Sequence, residues 1–303
     1  MISESELKKA VEAILKDMGG SASSTVSAGA QNAPSAKPKP NADAPVIDSG
    51  ESLHDLGAID LKTINNVPHP HNADALNAMR KATPARVAAW RAGPRYLTST
   101  LLRFRADHAL AMDAVFTDVS DEWIKQNNLP HFKTLCDNKD TFLTRPDLGR
   151  QFPDEELQKI KTHAGSNNKV VIYVADGLST TAVTTNAMDT YKAICDGLQR
   201  HSIKPSAPFF VQYGRVGSQD SISEVTGAEV IVTLIGERPG LITAESMSAY
   251  MAYKATVNMP EARRTVISNI HKGGTPAVEA GGYIADIIKK MLDTKTSGLD
   301  LKL

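Results

Sequence analysis

Short apolar runs alternating with amphipathic stretches mark the second half of this chain. Four of them stand out: "KVVIYVADGLST" from Lys169, "APFFVQYGRVGSQD" from Ala207, "EVIVTLIGERPG" from Glu229 and "RTVISNIHKGGTP" from Arg264. Each is too short for a core helix and rich in β-branched or aromatic residues, so each predicts a buried strand. Between and after them lie "NAMDTYKAICDGLQRH", the segment from Glu245 to Tyr253 and "TPAVEAGGYIADIIKKML", all read as helical. Apolar strands alternating with amphipathic helices give a mostly parallel, Rossmann-like sheet covered on both faces. Right-handed crossovers then collect the strand C-termini on one edge, where open α/β sheets bind ligands.

The first half reads differently. In residues 1–19, apolar Leu7, Val11, Ile14, Leu15 and Met18 form a stripe at helical spacing. Ser3 and Glu6 have capping-box spacing, and Gly19-Gly20 end the pattern. Residues 20–46 are rich in Ala, Ser, Pro and Asn, with too little apolar surface to order themselves, and read as a flexible linker. Residues 47–150 read as mainly helical: a helix stopping at Pro84, a break at Gly93-Pro94, then a long amphipathic helix. Arg86, Arg91, Arg95, Arg103 and Arg105 concentrate charge there, as a solvated face or as a grip on phosphate, carboxylate or a partner. In "FLTRPDLGRQF", Arg145, Asp147 and Arg150 are placed to pair within a loop. Residues 151–303 form the α/β domain.

Charge narrows the partners. Lys plus Arg equals Asp plus Glu at 34 each, and aromatics are 5%, so neither nucleic acid nor an acidic membrane is an expected partner. The two cysteines, Cys136 and Cys195, make neither a disulfide framework nor a zinc motif. No apolar stretch approaches the roughly 20 residues of a membrane span.

Against known chemistry the edge loops exclude more than they offer. A dinucleotide Gly-x-Gly-x-x-Gly, a P-loop and a Gly-x-Ser-x-Gly elbow are all absent after these strands. Ser179, His271 and Asp176 can be drawn as a triad, but "DGLST" reads more naturally as a turn and helix cap. In "IHKGGTPAVEAG", Thr275 is placed to cap the last helix with Pro276 at its first position. Gly273 and Gly274 would then leave amides open to an anion beside Lys272. Asp176, Arg215, Glu237, Arg238, Asn269 and His271 together make a polar rim without a nucleophile, base or metal set. Such a rim grips a large polar ligand rather than breaking bonds.

The strings "RAGPR", "LTRPDLGR", "DGLST", "YGRV", "GERPG" and "SNIH" followed by "GGTP" occur in this order. Together, from roughly Asp74 to Lys290, they resemble the small (light) subunit of ethanolamine ammonia-lyase. The resemblance implies a subunit of a hetero-oligomeric lyase that turns ethanolamine into acetaldehyde and ammonia by radical chemistry. It implies adenosylcobalamin, bound base-on and shared with a large catalytic subunit, as cofactor. Carried over by motif, it implies cobalamin contacts at Val216 and Glu237, with Val266 where other members have Cys. Arg215 and Asn269 are added as neighbours. It implies no catalytic residue on this chain, and it implies a cytoplasmic location within a bacterial microcompartment, with residues 1–19 docking on the shell. On residues alone, Val216 and Val266 read as strand-end core. A stand-alone nucleotide- or methyl-donor-binding enzyme, and a purely structural assembly subunit, stay open as alternatives.

Overall fold

A computed structural model describes residues 60–302. The expected helix at 1–19 and linker at 20–46 lie outside them. Helix α1 (Ala73–Ala82) starts where the Asn72 side chain accepts from the Ala75 N–H and stops before Pro84, as its pattern predicts. Two-residue strands β1 (Arg91–Ala92) and β2 (Arg95–Tyr96) fold back on each other at Gly93-Pro94. They lead into α2 (Thr98–Phe116), the expected long helix. The arginine cluster divides. Arg86 and Arg103 converge on buried Asp107, at 2.6 and 3.0 Å, whereas Arg91, Arg95 and Arg105 stay exposed.

Next come α3 (Asp121–Gln126), β3 (His131–Lys133), α4 (Lys139–Thr144) and α5 (Asp154–Ala164). The α/β half follows as β4 (Val170–Ala175), α6 (Thr180–Arg200), β5 (Phe210–Gln212), α7 (Ser218–Thr226) and β6 (Val230–Gly236). It closes with β7 (Met247–Tyr253), β8 (Thr265–Ile270) and α8 (Ala277–Thr294). Six strands form one mixed sheet in the order β3-β5-β4-β6-β7-β8. Every residue of β4 and β6 is buried, which is why both read as unbroken apolar runs. Val170, Ile172 and Val174 turn one face of β4 toward a core shared with Ile194 and Leu198 of α6 and Ile284 and Ile288 of α8. Val171, Tyr173 and Ala175 turn the other toward Ile160 of α5 and Ile222 of α7.

One expectation fails. The segment from Glu245 to Tyr253 is not helical: Met247–Tyr253 is strand β7, antiparallel to both β6 and β8. Its Met and Ala content favours a helix, but "MSAYMAY" also alternates. Met247, Ala249 and Met251 enter one core while Tyr250 and Ala252 face the other. The free edge of β6 supplies a ladder of backbone hydrogen bonds, and tertiary context overrides the weak propensity. Because β7 reverses the chain once and β8 reverses it again, the four predicted strands still end on a common edge.

Val266 departs from its core reading too. It is the second residue of β8, beside Tyr250 in register, and 39% exposed. On this face α5 and α7 pack over β4, β5 and β6, so β8 shows Val266, Ser268 and Asn269 to solvent.

Candidate binding site at the strand edge

Two carboxylates organise the strand edge. The first, Asp176, follows β4 directly and is fully buried. Its oxygens accept from the backbone N–H groups of Gly177 (2.9 Å), Tyr213 (2.9 Å) and Gly214 (3.1 Å), tying the β4 loop to the β5 loop. Burial pushes its pKa up to about 6, against Lys139 and those three N–H groups, which pull it down. The knot holds Tyr213 at φ 58°, a left-handed backbone that a bulky residue adopts at a cost of about 1–2 kcal/mol. The Tyr213 ring stacks on Phe142, and its hydroxyl donates to Asp118 at 3.1 Å. Behind it, Gly149 of "LTRPDLGR" leaves room that a Cβ would take, landing 2.7 Å from the Arg215 Cγ. The Arg215 N–H donates to the Gly149 carbonyl at 2.8 Å, so this loop sets where Arg215 and Val216 emerge.

The second carboxylate, Glu237, follows β6 and is half-buried. Its Oε2 accepts from the Ser246 hydroxyl at 2.7 Å; its Oε1 accepts from the Ser248 hydroxyl at 2.5 Å and the Asn269 N–H at 2.9 Å. It therefore braces β6, β7 and β8 together. Burial raises its pKa, but those hydrogen bonds and nearby His271 outweigh it and hold the carboxyl below its ordinary value. A carboxylate has about four acceptor positions. Glu237 keeps spare capacity at Oε2 after accepting these three donors.

Between the two lies a cavity of about 210 Å³ lined by Arg215, Val216, Glu237, Arg238 and Tyr250, with Gly177, Leu178, Ile235 and Gly236 also in its wall. Val216 packs its inner side on the core under α7 while its other side faces this cavity. Arg215 lies over the Phe142 ring at 4.1 Å and donates from Nη2 to the Phe142 carbonyl at 2.7 Å; its Nε–H is buried without an acceptor. Val266 joins through its partner Tyr250, and Asn269 through its N–H on Glu237. Of the five expected residues, Arg215, Val216 and Glu237 line the cavity, while Val266 and Asn269 lie beside lining residues without entering it. Glu237 supplies an acceptor and Arg215 supplies donors, as a carboxamide ligand requires.

The sequence model of the ethanolamine ammonia-lyase light chain matches residues 73–302. The ethanolamine ammonia-lyase small subunit of Clostridium tetani is 52% identical over 303 residues, covering 100% of both chains. That of Listeria monocytogenes is 49% identical over 302 residues, 99% of this chain and 100% of the relative. That of Clostridioides difficile is 53% identical over 257 residues, 85% and 88% of the two. The chain belongs to the ethanolamine ammonia-lyase light-chain family.

The drawn triad does not form: Ser179 caps α6 by accepting from the Ala182 N–H and donates to the Ala244 carbonyl, while His271 bonds Asn269 and Gly273. Gly273 donates its N–H to the His271 Nδ1, and Gly274 donates to the His271 carbonyl. Those amides, expected to be open to an anion, are consumed inside their own turn. Nor does Thr275 cap α8. Pro276 holds that position without a side-chain bond, because Thr275 exchanges backbone hydrogen bonds with Asn269 and His271. Among the described residues no cluster of three or more His, Cys, Asp or Glu is arranged for a metal, and no helix is long and apolar enough to cross a membrane.

Sequence reasoning missed Tyr250, Ser246 and Ser248 because β7 was read as a helix. The alternation in "MSAYMAY", placed after "GERPG", was the available signal. The choice for Arg238 narrows: it is exposed, lines the cavity and makes no hydrogen bond or ion pair among the described residues, so it does not brace the turn.

Proposed function

We propose that this chain is the small subunit of an adenosylcobalamin-dependent ethanolamine ammonia-lyase, closing over the cofactor where it meets the large catalytic subunit. The holoenzyme converts ethanolamine to acetaldehyde and ammonia. The observation that carries this reading is the pairing, in one small cavity, of Glu237 with a spare acceptor position and Arg215 with unused donors. Cobalamin carries a rim of carboxamide arms, each with one acceptor oxygen and two donor hydrogens. The donor set fits such an arm. At about 210 Å³ the cavity falls below the roughly 300–1,000 Å³ that encloses a drug-sized ligand. It admits an arm but not a corrin, so most of the base-on cofactor must be covered by another surface, which we assign to the large subunit.

When bound, adenosylcobalamin supplies the radical by homolysis of its cobalt–carbon bond. The residues of this chain bind and orient. Glu237 accepts amide hydrogens, Arg215 donates to amide oxygen, Val216 and Val266 offer apolar contact either side of Tyr250, and Asn269 keeps Glu237 in place. No catalytic residue is assigned here. Co-expression with a large subunit, followed by an ethanolamine deamination assay with added adenosylcobalamin, tests the reading. Turnover is expected only with both chains present. Full turnover by the large subunit alone would contradict it and leave this chain a structural partner.

Residues 1–19, on the leash of residues 20–46, are proposed to dock on the protein shell of a bacterial microcompartment in the cytoplasm. The support is their apolar stripe, with no neighbour in sequence to cover it. A fluorescent protein carrying this peptide should form puncta in cells that make the shell; a diffuse signal there rules the assignment out.

A further inference from the structure

We propose that Arg215, Arg238 and Arg150 form an anion subsite beside Glu237 that receives the phosphodiester of the cofactor's nucleotide loop. This rests on the cobalamin reading above. Arg215 and Arg238 line the same cavity; Arg150 lays its aliphatic stem along Gly217, the residue after Val216, and lines the neighbouring cavity with Asp220 and Glu261, both of which pair with Arg264. Of the Arg215 nitrogens only Nη2 donates to a protein acceptor, and no carboxylate lies within ion-pair distance of it among the described residues. Burial lowers its proton affinity; Cys136 and Asp176 act the other way, and the neighbouring charges of Arg150 and Arg238 add smaller lowering effects.

The nearby acids offset only part of this charge. Asp176 is sealed behind three N–H groups with Lys139 at 4.0 Å, and Asp147 is paired with Arg145 at 2.8 Å. Glu237 accepts three neutral donors, so its carboxylate offsets one of the three arginine charges and leaves the other two. A carboxamide arm can accept a hydrogen bond from Arg215 but brings no charge. The phosphodiester of cobalamin brings one negative charge on two non-bridging oxygens, which more than one guanidinium can share. A carboxylate from the large subunit has the same sign. The phosphodiester is favoured because it belongs to the ligand already assigned to this narrow cavity, and so needs no second element to enter.

The test compares two ligands in the assembled two-subunit complex, followed by visible absorbance. Cyanocobalamin carries the nucleotide loop; dicyanocobinamide has the same corrin ring without it. Arg238→Gln is the first variant, because Arg238 is exposed and its loss leaves the core intact. It should weaken cyanocobalamin binding about ten- to a hundredfold, the effect of one charge-assisted hydrogen bond, and leave cobinamide within about twofold. Arg150→Gln should show the same selectivity with a smaller loss, and Arg238→Lys should restore part of it. Equal weakening of both ligands would overturn the proposal, since the arginine would then grip the corrin. Unchanged binding of both, with poorer subunit assembly, would overturn it in favour of a carboxylate on the large subunit. If the wild-type complex binds neither ligand, the cobalamin reading itself fails, and that outcome is separate from any variant.

Discussion

The loops after β4 and β5, on one side, and the β6–β7 loop with the start of β7 and the end of β8, on the other, solve one problem in opposite ways. Each end of the sheet edge is gathered around a carboxylate that accepts three donors. Asp176 faces inward, takes only backbone N–H groups and is sealed, so burial dominates and its pKa rises to about 6. Glu237 stands at the cavity mouth and takes two hydroxyls and one N–H. Hydrogen bonding there wins over burial, and its pKa falls below the ordinary value. A carboxylate with every partner inside the fold is a fastening. One with spare capacity facing a cavity is a fastening that can also hold a ligand.

Removing each carboxylate separates the two roles. Asp176→Ala should destabilise the fold by about 3–5 kcal/mol, because it strands buried N–H groups and leaves Lys139 without its buried partner. Urea denaturation measures this, and a loss near zero would deny the fastening. The pH dependence is the next largest effect. The folded pKa of Asp176 is raised, so its contribution to stability is complete below its ordinary value of 3.8 and is lost as pH rises through about 6. The difference amounts to about 3 kcal/mol, and Asp176→Asn should abolish that slope between pH 4 and 6. Glu237 has the opposite sign. Its contribution is present above its ordinary value of 4.5 and is lost as pH falls through the depressed folded value. Stability curves of the two variants against pH should therefore diverge in different windows.

Smaller effects sharpen the contrast. Glu237→Gln should weaken cobalamin binding to the assembled complex about tenfold while costing the fold only about 1 kcal/mol, since an amide oxygen still serves part of the brace. A variant that unfolds with unchanged affinity would make Glu237 a second Asp176. Val266→Ser should shift stability by no more than about 0.5 kcal/mol, as suits an exposed site, and reduce cofactor affinity a few fold. A larger stability loss would return Val266 to the core.

What could be read from sequence follows the same division. Strands β4 and β6 announced themselves because burial on both faces leaves no polar position to blur the pattern. Glu237 directly follows β6, while Val216 lies beyond the short β5 and its Tyr213–Arg215 turn. Strand β7 was not legible, since Met and Ala serve a helix well and only the waiting edge of β6 makes them a strand. The three-residue β3 is too short to carry a period and is defined by its pairing with β5. Partnerships distant in sequence were also hidden. Arg86 on Asp107 and Ser248 on Glu237 are created by the fold. So is the turn in which His271 consumes the Gly273 and Gly274 amides, a capture that glycine spacing alone cannot reveal.

This chain is proposed to offer part of a cobalamin site and to need a second surface to complete it. Optical titration of cobalamin into the small subunit alone, the large subunit alone and the assembled complex tests it most directly. Tight binding is predicted only in the complex, with loss of affinity when Glu237 is changed there. Equal affinity for the large subunit alone and the complex would contradict it.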